Sequence, residues 1–156
     1  MTHSIVTIIA SFFGSLGFSL IFNIHGKRLL VPAFGGAAFW AFYLGIMEYF
    51  HNEYLCYFIT SLLITIYAEI WARILKTPAT TVLITTAVPL IPGGVLYTAM
   101  NYAIHRWYNV AFGKGLEALG LAISLAAGIM VVSSLRVPFH KFFKKKKPES
   151  SDFSNQ

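Results

Sequence analysis

The sequence predicts an all-α polytopic membrane protein of about five transmembrane helices, the fourth of them broken at a proline–glycine motif. Three observations predict it. The 156 residues are 56% hydrophobic and only 12% charged, about half the charged share of an ordinary soluble domain. Their mean hydropathy is +0.65, so a water-soluble globule of this size would lack the polar side chains to cover its surface. The apolar residues also fall in long runs, matching the roughly 20 helical residues that cross a hydrocarbon core of ~30 Å. In that setting only helices and closed barrels satisfy the backbone.

The first run, residues 4–24, carries no charge. It has no basic segment before it and exceeds the apolar core of a secretory signal, so it is expected to stay as the first span. The second, residues 29–50, is uncharged up to Met47, and the third, 54–75, contains Glu69 and Arg73. The fourth is the uncharged stretch 77–104, and the fifth, 117–135, is uncharged from Ala118 onward. Residues 1–143 therefore form one transmembrane domain. Residues 144–156 form a basic, then polar tail, expected to be disordered because it has little apolar surface to bury.

Orientation follows from the basic residues between the spans. Lys27, Arg28, Arg73, Lys76, Arg136, Lys141 and Lys144 to Lys147 place ten of the twelve on one side, against Arg106 and Lys114 on the other. The positive-inside bias then puts the N-terminus outside and the C-terminus in the cytoplasm of a cell-membrane protein. The C-terminal basic cluster suits anionic lipid. A nucleic-acid partner is not expected, because no soluble domain remains to carry a basic face.

The fourth run is unusual. Its 28 residues would make a straight helix of ~42 Å, longer than the core is thick. In its middle stands Pro89-Leu90-Ile91-Pro92-Gly93-Gly94. The two prolines remove backbone donors and disfavour helical geometry before them, while the glycines make other backbone angles cheap. The span is expected over residues 79–105, broken near 89–94. A break at bilayer depth persists only where protein or a water-filled cavity surrounds it, as in secondary transporters built from half-helices.

Polar residues recur every four positions, on one helical face: Ser11, Ser15, Ser19 and Asn23 in the first span, Ser61, Thr65, Glu69 and Arg73 in the third, Tyr97, Asn101 and His105 after the break. Three such stripes suggest a shared, partly wet interior, although small hydroxyl residues also join helices in membranes. Glu69 lies ~22 Å along its span from Tyr54, within the core, where an ionisable group is costly and faces an interior or a partner such as Arg73. Gly120, Ser124 and Gly128, with Gly35-Gly36, are read as close helix contacts.

Cys56 is alone and the five histidines lack ligand spacing, so no disulfide, metal or cofactor is expected. Hydrolase, metalloprotease and phosphate-loop motifs are absent, which argues against an enzyme. The residues point to a transporter subunit whose path follows the break. Asn23, Glu69, Arg73, Tyr97 and Asn101 are its expected polar lining, shaped by Pro89, Pro92, Gly93 and Gly94. The rival reading is a non-transporting scaffold or regulatory subunit of a larger transport complex.

Four stretches taken together resemble the small, five-span subunit of the threonine/serine exporter family. They are Phe22-Asn23 with Lys27-Arg28 and Gly35-Gly36; Ala68-Glu69 to Ala72-Arg73 with Lys76 and Pro78; Val88 to Gly94 with Tyr97 and Met100; and Gly115-Leu116-Glu117 leading to Ala127-Gly128-Ile129 and Ser133-Ser134. The resemblance covers about residues 5–137, departing at His25-Gly26, where the family often has a proline near Asn23. It implies a two-component exporter of small carboxylate-bearing metabolites, either threonine- and serine-like amino acids or dicarboxylates such as succinate. A larger five-span subunit would be the partner, inverted relative to this chain, and self-association is the alternative.

Overall fold

In a computed structural model of the chain, residues 2–24 and 26–144 are described, with side chains omitted for residues 2, 3, 27 and 136–144. The expected disordered tail lies outside the described residues apart from Lys144. Six α-helices follow one another: α1 (Thr2–Ile21), α2 (Leu30–Phe50), α3 (Glu53–Leu75), α4 (Ala79–Ala87), α5 (Gly93–Ile104) and α6 (Tyr108–Lys144). Short 3-10 turns at Gly26–Leu29 and Val88–Leu90 complete the order. Four helices are long and apolar enough to cross a membrane, and the pair α4–α5, bent by 53°, supplies a fifth span. The fold is therefore all-α and polytopic, with the fourth span broken at the proline–glycine motif.

The joints are short because residues at the helix ends accept left-handed geometry. Asn23, His51, Lys76 and Arg106 all have φ between 52 and 64°. Asn52 caps α3, its side chain accepting from the Leu55 amide at 3.3 Å. The last helix begins at Tyr108, nine residues before the uncharged run, and extends to Lys144. Its early charges do not end it, because Lys114 donates to Glu117 one turn on at 2.7 Å.

α2 is the pivot. A methyl group on Gly35 would lie 2.8 Å from the Tyr67 ring of α3 and 3.0 Å from Thr86 of α4. One on Gly36 would run into the Ser15 hydroxyl of α1 and lie 3.5 Å from Pro89 at the break. Two adjacent residues without side chains thus let three helices and the 3-10 turn meet α2. Tyr67 adds a hydrogen bond to the Val31 carbonyl at 2.8 Å. Edge-to-face rings continue the contact at Phe12–Phe34, Phe39–Tyr67 and Tyr43–Tyr57, with centroids 5.1 to 5.3 Å apart. On the far side of α3, Gly128 of α6 admits Ser61, and Gly120 lies against Tyr54.

Gly36→Ala is expected to lower the stability of the detergent-solubilised protein by about 1–3 kcal/mol, through overpacking against Ser15. Gly45→Ala, on the same helix with nothing within 4 Å, should leave stability unchanged or slightly raised. Thermal unfolding followed by size-exclusion chromatography separates the two outcomes.

Candidate functional site

The break is built from the chemistry of its two prolines. Pro89 has no N–H to offer the carbonyl of Thr85, and Pro92 has none for Val88. The chain tightens instead, the Ile91 amide bonding the Val88 carbonyl at 3.2 Å and the Gly93 amide bonding that of Ile91 at 2.6 Å. The helix resumes when the Leu96 amide reaches Pro92 at 3.1 Å. Leu90, 1% exposed, anchors the turn in an apolar cluster with Tyr43 of α2, Tyr57 and Ile64 of α3, and Leu121 of α6. Ile91, Gly93 and Gly94 face outward. One side of the break is enclosed by the bundle and the other is open.

On the enclosed side lies a set of buried hydroxyls. Ser15 and Ser19 of α1 and Thr85 and Thr86 of α4 are each at most 1% exposed. Ser19 donates to the Ser15 carbonyl at 2.6 Å and Thr85 to that of Thr81 at 2.8 Å, folding each onto its own helix. The Ser15 and Thr86 hydroxyls have no hydrogen-bond partner among the described residues. Thr85 and Thr86 are not among the residues picked from sequence. The four-residue step from Thr81 to Thr85 is the signal that points to Thr85, whereas Thr86 has Val82 and Leu90 four positions away and carries no such signal.

Among the described residues the three polar stripes meet different surroundings. The first faces α2 through Ser15. The third-span stripe turns to α6 through Ser61, beside Gly128, and there Thr65 donates to the Ser61 carbonyl at 2.7 Å. Glu69 is half-buried and Arg73 is exposed one turn later. Tyr97, 73% exposed, lies with Asn101 and His105 on the outer surface of α5. Asn23 is exposed and closes α1, its amide bonding the Leu20 carbonyl at 3.0 Å, in the left-handed position that asparagine tolerates well. Of the expected lining, Pro89 lies beside Gly36 next to Ser15, and Pro92 follows it in the break. The others lie elsewhere because a four-residue period fixes which residues share a face, not which neighbour that face meets.

Two open clefts lie at the end away from the basic loops. One, of about 270 Å³, is lined by Asn101, Tyr102, His105 and Trp107, with the Tyr102 and Trp107 rings stacked at 5.9 Å. The other, about 600 Å³, lies between the α2–α3 joint and the start of α6, where Glu53 and Glu117 face it. Among the described residues, no three His, Cys, Asp or Glu side chains group to hold a metal.

Residues 7–135 match a protein-family model described as Threonine/Serine exporter, ThrE. No curated protein and no solved structure matches the chain significantly.

In a Cys56→Ser background, cysteine at position 105 should react readily with a water-soluble maleimide in intact membranes. Cysteine at position 19 should react at least tenfold more slowly, as its buried place on α1 requires. Mass spectrometry of the labelled chain reads both.

Proposed function

Because the chain belongs to the threonine/serine exporter family, we propose that it is one subunit of a secondary transporter that moves small carboxylate-bearing metabolites out of the cell. Threonine- and serine-like amino acids lead the expected substrates, with dicarboxylates such as succinate next. The observation that carries this reading is the broken fourth span, with one face of its turn held inside the bundle at Leu90 and Pro89. Irregular backbone at membrane depth is a costly feature that transporters use to expose amides and carbonyls to a solute.

The path runs beside Pro89, Pro92, Gly93 and Gly94, and Asn23, Glu69, Arg73, Tyr97 and Asn101 contribute along its length. Several of these face outward in the single chain, which supports a second chain completing the path. Asn101 and the open backbone at Gly93 and Gly94 are poorly served by lipid tails. A larger five-span subunit of the same family is the partner we propose. The protein sits in the plasma membrane with its N-terminus outside and its C-terminus in the cytoplasm, as the loop charges favour.

Neither Gly93 nor Gly94 has any atom within 4 Å of where a methyl group would stand, so alanine at both is expected to fold and reach the membrane. Export of labelled threonine, serine or succinate from cells co-expressing both subunits should nevertheless drop at least tenfold. Unchanged export would instead favour a scaffold subunit. A green fluorescent protein fused to the C-terminus should fluoresce and an alkaline phosphatase fused there should be inactive. The reverse pair of results would invert the orientation.

A further inference from the structure

We infer that Ser15 of α1 and Thr86 of α4 form a hydroxyl-recognition subsite, closed in this structure, for the side chain of a β-hydroxy amino acid. The inference rests on the exporter reading and adds the residues that select the substrate.

Three observations converge on it. Ser11, Ser15 and Ser19 share one face of α1, yet only the middle one departs from the pattern. Ser11 donates to the Thr7 carbonyl at 2.8 Å and Ser19 to the Ser15 carbonyl at 2.6 Å, whereas the hydroxyl of Ser15, a residue at 0% exposure, has no hydrogen-bond partner among the described residues and lodges against Gly36. The same contrast recurs on α4, where Thr85 bonds its own helix at 2.8 Å and Thr86, 1% exposed, does not. The two residues adjoin the consecutive glycines of α2, Thr86 through its methyl group beside Gly35 and Ser15 through its hydroxyl beside Gly36, where Pro89 also packs. An unmade hydrogen bond on a buried hydroxyl costs about 1–3 kcal/mol, and here two occur on the packed helices α1 and α4 near the break.

The chemistry selects the ligand class. A hydroxyl both donates and accepts, so a pair of them matches another neutral hydroxyl. Neither brings the formal charge that would single out an ammonium or a carboxylate, so those ends of an amino acid need other residues. Access requires α1 to part from α2 and the 3-10 turn. At Gly36 that contact is made by a glycine and a serine, with the Phe12–Phe34 ring pair elsewhere on the same two helices.

A site that hydrogen-bonds a substrate hydroxyl discriminates against the analogue that lacks it. The test is competitive export by the full two-subunit system in whole cells, comparing L-threonine with L-2-aminobutyrate and L-serine with L-alanine. The wild type should favour the hydroxyl-bearing member of each pair. Ser15→Ala and Thr86→Val should each reduce that preference by roughly tenfold, the worth of one hydrogen bond, with export of the analogues retained. Ser15→Cys, which keeps the size but is a weak donor, should act like Ser15→Ala and serves if the alanine variant does not accumulate. Thr60→Val removes another buried hydroxyl without a partner, on α3, and should leave the preference unaltered. An unchanged preference in the Ser15 and Thr86 variants at equal membrane levels would overturn the subsite and leave the exporter standing. An equal shift in Thr60→Val would do the same. A wild-type system that exports none of the four would remove the exporter reading and the subsite with it.

Discussion

Gly35 and Gly36 set the distance at which α2 meets everything around it. Lipid tails are as apolar as leucine side chains, so helices in a bilayer gain little by hiding apolar surface from one another and depend on close contact instead. A glycine pair gives that contact on two adjacent directions of a single helix. Tyr67 and Thr86 approach one residue, and Ser15 and Pro89 the other. The broken turn can therefore be enclosed, because Ser15 takes the place that a side chain at position 36 would fill and Pro89 packs 3.5 Å from it. Gly128 repeats the device between α6 and α3, so the bundle is drawn together from both of its sides.

The polar inventory of the interior consists mostly of hydroxyls that return to their own helices. Ser11, Ser19, Thr65, Thr85 and Ser124 all donate to a carbonyl one turn back. Such a bond satisfies the group without a second helix, at the cost of a slight bend. It also lets a helix bury a polar face without committing it to a neighbour. Against that background Ser15 and Thr86, like Thr60 on α3, stand apart, because their hydroxyls do not take the same local option in this structure. What sets Ser15 and Thr86 apart from Thr60 is their position beside the glycine pair and the break.

The spans and the break were legible in the sequence because both rest on local chemistry. Run length and charge decide which segments lipid accepts, and two prolines with two glycines interrupt a helix in any surroundings. What the halves would rest on was not legible. α4 is held by α1, α2 and α3, whereas α5 lies chiefly on α6, an arrangement set by contacts distant in sequence. The stripes show the same limit. Ser15 and Ser61 follow equally regular periods, yet one meets Gly36 and the other Gly128. Thr86 escaped notice because it sits among Ile84, Ala87 and Val88 and belongs to no stripe of its own. The start of α6 was misplaced for a different reason, since a charge pair at Lys114 and Glu117 satisfies within the helix what its polarity seemed to forbid.

The split of the fourth span also bears on how the chain is made. α4, with nine residues, and α5, with twelve, reach ~14 and ~18 Å, so neither crosses the hydrocarbon core alone and the two must enter the bilayer as one unit. The helices that chiefly hold α4, namely α1, α2 and α3, precede it in the chain and stand ready as it emerges from the ribosome. The helix that supports α5 is synthesised after it. During translation the second half of the span must therefore wait, with the open backbone of Gly93 and Gly94, until α6 follows it into the bilayer.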